Sequence, residues 1–245
     1  LPDQQPAYVL HSRPWRESSV IADLFTLHQG RVSVLVHGAR KTHGKQPPIR
    51  ALVQPFTPLM VSYTGQGELR NLVQMDSAGP PLSLAGNTLY SGLYANELLL
   101  KLLATDDPQP NLFAYYQTLL SQLADNQAVE PYLRPFEVHL LDELGYHIEL
   151  DKDLLTAEPV VAERYYQLRP LQGVFVPPLE DDYSVKVPMI KGQILLQLAA
   201  GDFTGVEVLK VAKYLARANL DQLLGGQPLH SRRLFQPMLP PKNDT

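Results

Sequence analysis

The sequence predicts an α+β fold, a small N-terminal β-barrel followed by a helical body, and three observations carry this expectation. The first eighty residues hold short segments that alternate apolar and polar positions, separated by turns rich in glycine and proline. After Ala78, Gly79, Pro80 and Pro81 the apolar spacing changes to the three and four residues of helices. The charge changes at the same place: up to residue 80 eight lysines and arginines face five acids, and beyond it thirteen face twenty. A basic module before an acidic body suits a chain that meets a polyanion through one end, because exposed charges act chiefly within about 8 to 10 Å.

The strands follow in order. Residues 7–10 are apolar or aromatic. Residues 20–27 place Val20, Ala22, Leu24 and Thr26 on one face, with Ile21 and Phe25 available to the other. Val32, Val34 and Val36 form the inward side of a strand starting at Gly30, joined to the previous one by a hairpin. Residues 59–63 and 68–74 complete a set of five, with Gly65 and Gly67 turning the chain between them; closure of such a set removes exposed edges, and a small open sandwich is the alternative packing. Helices are expected over residues 87–104, 112–123 and 130–144, with Gly145 ending the third. Residues 146–188 are irregular, with a short strand pair around Pro170 and Gly173. Helical spacing returns over 190–198 and 205–224 and stops at Gly225 and Gly226.

Composition excludes several kinds of chemistry. The 245 residues contain no cysteine, which removes disulfides, thiolate catalysis and thiolate zinc sites. There is no P-loop, dinucleotide fingerprint, nucleophile elbow or zinc-protease helix. The seven histidines are scattered, and the acidic pairs Asp151/Asp153 and Glu180/Asp182 lack basic or histidine companions, so a metal-dependent nuclease is a weak rival reading. No stretch reaches membrane-spanning length and the start has no secretory pattern, so a cytoplasmic protein without a membrane partner is expected, and no motif asks for a cofactor.

Binding chemistry is better supplied. Arg13 and Arg16 bracket Trp15 beside Pro14, which puts two guanidinium groups and a large aromatic face together. Single-stranded nucleic acid asks for both, charges for phosphates and a platform for an exposed base. The other reading of Trp15 is a plug for one end of the barrel. Arg40, Lys41 and Lys45 follow the third strand in a loop that Gly38 and Gly44 leave free to bend, with Arg31 and Arg50 as weaker additions. A second basic group comprises Lys210, Lys213 and Arg217 along one helix side, then Arg232 and Arg233; it either extends the nucleic-acid path or balances the acidic middle of the chain.

Several collinear segments resemble the RecO family of bacterial recombination mediators. They are residues 7–15, Gly30 to Val32 with Gly38 to Lys41, 52–59, 89–98, Arg134 to Glu137 with Leu141 to Tyr146, Tyr214, 223–226 and 231–235. The resemblance implies an N-terminal five-stranded OB-fold barrel over residues 1–80, packed on a central helical domain over 81–147 that helices from 189–226 complete. It also implies a small zinc-finger-like region over 148–188, here without its metal ligands, and C-terminal helices and tail over 189–245. It further implies a protein that is not an enzyme, binds single- and double-stranded DNA, anneals complementary strands, works with RecR, and indirectly helps load RecA on DNA coated by single-stranded-DNA-binding protein. Carried over residue by residue, the resemblance implies that Arg31, Arg40 and Lys41 belong to the barrel's basic surface. For the acidic, hydrophobic tail of the coating protein, the expected docking residues are Leu133, Arg134, Leu140 and Leu141, a lone cation among apolar side chains. The rival reading is a protein–protein adaptor with little direct DNA binding.

Overall fold

The computed structural model describes residues 3–39, 49–178 and 187–235. The chain divides into two compact units, one of residues 1–129 and 228–245 and one of residues 130–227.

The first unit is built on five strands, β1 Gln5–Trp15, β2 Ser19–Thr26, β3 Gly30–Val36, β4 Leu59–Thr64 and β5 Leu69–Ser77, with a four-residue helix α1 Ile49–Leu52 between β3 and β4. They close into a barrel in the order β1-β2-β3-β5-β4, all neighbours antiparallel except β3 and β5. This is the OB-fold barrel, packed on helices. Val9, Ala22, Leu24, Val32, Val34, Val36, Leu59 and Val61 fill its interior and are almost wholly enclosed. The strand after Gly30 alternates as its sequence requires, but every residue of β2 is buried. Its outward side chains are covered as well: Phe25 packs against Phe113 and Tyr116, with ring centroids 5.3 and 6.0 Å apart, and Tyr8 meets the same pair.

Those two aromatics belong to α3 Pro110–Asp125, which follows α2 Gly86–Leu102. Pro110 opens α3 at a position where its missing N–H costs nothing. A buried polar chain ties the helices to the barrel: Tyr116 Oη donates to Asn96 Oδ1 at 2.6 Å, and Asn96 Nδ2 donates to the Leu10 carbonyl at 3.0 Å. The C-terminal 3-10 helix His230–Phe235 returns to α2, where the Glu97 carboxylate accepts the backbone N–H groups of His230 and Ser231 and the Ser231 hydroxyl at 2.7 to 2.9 Å.

The second unit contains α4 Glu130–Glu143, a small sheet of β6 Tyr165–Arg169, β7 Gly173–Phe175 and β8 Ile190–Lys191, then α5 Gly192–Ala199 and α6 Val206–Leu223. Its core joins Tyr166, Leu168, Val174 and Ile190 to Leu195, Leu198, Val208 and Leu215. The helix expected over 190–198 begins later, because Ile190 and Lys191 pair with Tyr166 and Tyr165 in the sheet order β7-β6-β8. Gly192 makes the join possible: a Cβ there would lie 2.1 Å from the Val161 carbonyl oxygen. In this zinc-finger-like region no thiolate is present, and buried groups organise the loops. Asp153 accepts backbone N–H groups from Leu155, Thr156 and Val176 at 2.8 to 3.0 Å, and Tyr166 Oη accepts the Val161 N–H at 2.8 Å.

Three carboxylates are expected to make the fold sensitive to acid. Burial acts to raise the Glu97 carboxyl, but its hydrogen bonds from Ser231 and His230 and the Lys101 charge together hold it below its ordinary 4.5. Burial likewise acts against ionised Asp153 and Glu130, and is outweighed by backbone N–H groups at Asp153 and by Lys213 and Arg134 at Glu130. A carboxyl held lower in the folded chain than in the unfolded one stabilises the fold above the unfolded value, and this contribution is lost as pH falls through the folded one. Thermal melts from about pH 7 to pH 3 are expected to show the loss beginning below about pH 4.5, and Glu97→Gln is expected to remove part of that acid dependence while lowering stability at neutral pH.

Candidate nucleic-acid interface

Strand register assembles the candidate site at one end of the barrel. Trp15 pairs with Ser19 and Val20 pairs with Val36, so the β1–β2 turn and the exit of β3 lie at the same end. The end of β1 carries Arg13, Pro14 and Trp15 and the turn carries Arg16 and Glu17, all exposed, with Arg16 in the left-handed region at φ 52°. Trp15 is 41% exposed and takes no part in the barrel core, so it does not plug the barrel. The chain leaves β3 through exposed His37 and buried Ala39; Arg40, Lys41 and Lys45 follow and lie outside the described residues.

The outward face beside this end is a set of cross-strand rows. His11, Asp23, Ser33 and Leu69 form one, and Arg13, Ile21, Leu35 and Asn71 form the next. His37 Nε2 lies 3.4 Å from Asn71 Oδ1. Arg13, Trp15, Asn71 and Ser33 thus share a curved sheet surface with the buried Asp23 carboxylate, its curvature fixed by the closed barrel, and Arg16 stands in the turn at its edge. Such a surface can neutralise phosphates and stack an unpaired base. Asp23, His11 and Asn71 were not anticipated as site residues. Asp23 was detectable as the one charged residue interrupting an apolar strand, but the other two needed the register.

Arg31 has a different task. Its Nε donates to the Leu103 carbonyl at 3.0 Å, one guanidinium nitrogen donates to Thr105 Oγ1 at 2.9 Å, and its own carbonyl accepts the Asp106 N–H. It satisfies a carbonyl at the C-terminal end of α2, where a cation is favourable, and clips the barrel to the segment after that helix. Arg50 is exposed, the second residue of α1. Arg70 is likewise bound up, ion-paired with Asp106, hydrogen-bonded to Gln29 and lying over the Tyr63 ring.

The second basic group is divided between the units. Arg232 and Arg233 belong to the first, where Arg232 lies 6.0 Å over the Tyr94 ring and Arg233 is exposed. Lys210, Lys213 and Arg217 line α6 in the second. Lys210 pairs with Glu207 at 2.8 Å and Lys213 with Glu130 at 2.7 Å, so two of the three already hold anionic partners, while Arg217 is exposed.

The docking set proposed around Arg134 is differently placed from its expectation. Arg134 is 4% exposed and lies between two acids of its own helix, with Nε 2.7 Å from Glu130 Oε2, though not aligned for a hydrogen bond, and a guanidinium nitrogen bonded to fully buried Glu137. A cation at 134 satisfies Glu137 from within the helix, so it is not an open edge for a carboxylate. Leu133 and Leu140 are buried. Leu141 lines a cavity of about 350 Å³ together with Pro135, Val138, Leu150, Phe203 and Leu215. His139, Asp142 and His147 add polar groups to its lining, with His147 Nδ1 2.9 Å from Asp142. Burial pushes the His139 imidazole below its ordinary value, against the pull of Asp142 and Glu143.

Among the described residues no group of three or more His, Asp or Glu is placed to hold a metal, and no helix is long and apolar enough to cross a membrane. Asp153, one of the acids considered for a nuclease, is committed to backbone N–H groups; Glu180, Asp181 and Asp182 lie outside the described residues.

Comparison with known proteins decides the family. Residues 3–80 match the family described as Recombination protein O N terminal, and residues 84–233 match Recombination protein O C terminal. The chain belongs to the RecO family. Relatives named DNA repair protein RecO occur in Marinobacter nauticus, 43% identical over 237 residues, covering 95% of this chain and 93% of the relative. Another, from Azoarcus sp., is 41% identical over 237 residues, covering 97% and 96%. A third, from Pseudomonas aeruginosa, is 42% identical over 231 residues and covers 94% of each chain. The family boundary near residue 80 follows β5, so the N-terminal match spans the closed barrel and the C-terminal match begins just before α2. In this RecO-family chain the two matches together cover the barrel and the helices and sheet that follow it.

Proposed function

We propose that this chain is a recombination mediator that binds single- and double-stranded DNA through the barrel end and anneals complementary strands. The observation that carries the reading is the exposed Trp15 flanked by exposed Arg13 and Arg16, on the same barrel end from which the chain continues toward Arg40, Lys41 and Lys45. Phosphates of an incoming strand meet the guanidinium groups while an unpaired base stacks on the indole. Neutralising phosphates reduces the repulsion between two strands, and base pairing itself supplies the free energy of annealing, so the mechanism uses no nucleotide, metal or catalytic step. Arg233, Arg217, exposed Lys210 and half-exposed Lys213 are secondary candidates, since the two lysines must exchange a glutamate for a phosphate.

Family membership supports RecR, the single-stranded-DNA-binding protein and, indirectly, RecA as partners. For the hydrophobic, acidic tail of the coating protein, the cavity that Leu141 helps to line is the apolar receptor candidate, and its histidines stand nearer its lining than Arg134 does. The adaptor reading differs in requiring no DNA contact by the barrel.

Annealing of complementary fluorescent oligonucleotides separates the two. The full chain is expected to accelerate annealing, and Trp15→Ala/Arg16→Glu to lose most of that acceleration while keeping the wild-type melting temperature within a few degrees. Undiminished annealing by the folded variant would remove the barrel end from the mechanism.

A further inference from the structure

Asp23 stands on the outward row of β2, between His11 on β1 and Ser33 on β3. Its side chain is only 5% exposed, in contrast to the 54% of Arg13 beside it. Three groups converge on its carboxylate: Ser33 Oγ donates to Oδ1 at 2.5 Å, Arg13 Nη1 donates to Oδ2 at 3.3 Å, and His11 Nδ1 lies 3.7 Å from the same oxygen. A carboxylate removed from water in this way is stabilised by such partners and is costly without them. Arg13 therefore faces two ways, toward a buried anion below and toward solvent next to Trp15 above.

We propose that Asp23 is a built-in competitor for the phosphate-binding Arg13, setting the barrel's hold on a DNA strand below what its cations alone would give. The inference rests on the reading that this barrel end binds DNA. Carboxylate and phosphodiester oxygens ask for the same N–H donors, and the two anions repel when they share one guanidinium. A strand arriving at Arg13 thus meets a cation already partly neutralised, while Arg16 in the adjacent turn meets it with full charge. The fixed position of Asp23 also keeps Arg13 and His11 on the sheet surface, so the weakening is built into the rigid strand and does not depend on loop movement. For the annealing proposed above, a limited grip favours release of the paired product.

Asp23→Asn tests this, because the amide keeps the shape and an acceptor for the Ser33 hydroxyl while removing the charge. With the full chain and a fluorescent single-stranded oligonucleotide titrated across salt, the variant is expected to bind roughly threefold to tenfold more tightly at low salt, with a logarithmic salt slope steeper by up to about 0.7. Arg13→Gln is expected to cost more affinity in the Asp23→Asn background than in the wild type. Equal or weaker binding by Asp23→Asn with an unchanged melting temperature overturns the inference. Should that variant fold poorly, Arg13→Gln against Arg16→Gln supplies the second arm: a smaller loss at position 13 supports the competitor, and an equal or larger one overturns it. DNA binding that is present but insensitive to Asp23 defeats this inference alone, whereas no DNA binding by the wild type defeats the underlying reading as well.

Discussion

Arg134→Ala is expected to destabilise the unit of residues 130–227 by about 3 to 5 kcal/mol, the loss typical of removing one partner from a buried ion pair. Arg134 and Glu137 are 4% and 0% exposed and bonded to each other one helical turn apart, with Glu130 closing the other side of the guanidinium. Truncating the arginine leaves the Glu137 carboxylate enclosed without its cation and opens a void along α4. Urea denaturation followed by circular dichroism measures the effect. The paired replacement Arg134→Met/Glu137→Leu is expected to recover much of the loss, because apolar side chains of similar volume need no charge partner. A loss below about 1 kcal/mol for Arg134→Ala would mean that the pair is solvated and available to a ligand. The consequence for function is practical: reduced peptide binding by Arg134→Ala reports on partner docking only after the fold has been shown to survive.

Gly30→Ala is expected to cost about 3 kcal/mol or more in the first unit, through two separate causes. Gly30 sits at φ 64°, where a β-carbon adds about 1 kcal/mol or more of backbone strain. That β-carbon would also lie 1.9 Å from the Asp107 carbonyl oxygen, a contact that only backbone movement relieves. The movement would pull on the Arg31 links to Leu103 and Thr105 and on the Asp106 N–H bonded to the Arg31 carbonyl, so the barrel would loosen from the segment following α2. Gly38→Ala supplies the comparison: its φ is 65°, but among the described residues nothing lies within 4 Å of the added carbon. It is expected to lose only the strain. Similar melting temperatures for the two variants would contradict the close approach at Gly30.

How far the sequence went depends on whether its signals were local. The alternation in β3 and the helical spacing of α2, α3, α4 and α6 placed those elements to within a few residues, since one covered face imposes a period. β2 concealed its pattern because the barrel interior takes one face and Phe113 and Tyr116 cover part of the other. β8 was read as the start of a helix because two residues cannot display a period, and its pairing with Tyr165 and Tyr166 is set by chain more than twenty residues away. In the candidate site, the cluster of Arg13, Trp15 and Arg16 was legible because it is contiguous. The commitments of the other cations were not: Arg31 is bound by Leu103 and Thr105, and Lys213 by Glu130, partners more than seventy residues away in the chain. Arg134 is the opposite case, since Glu130 and Glu137 stand at the spacings i−4 and i+3 of a helical ion pair. That local signal outweighs the apparent isolation of the arginine. Asp23 joins the two kinds of information, a charge visible in an apolar strand whose partners only the sheet register reveals.

The most direct test of DNA binding at the barrel end is a salt titration of fluorescent single-stranded DNA with the full chain, Trp15→Ala/Arg16→Glu and, as the comparison, Lys210→Glu/Arg217→Glu. The barrel variant is expected to lose on the order of tenfold to a hundredfold in affinity at low salt, from one lost stacking contact and at least one lost phosphate contact, with a shallower salt slope. The α6 variant is expected to lose less. A folded barrel variant that binds with wild-type affinity and slope would contradict the assignment of the DNA site to this end of the barrel.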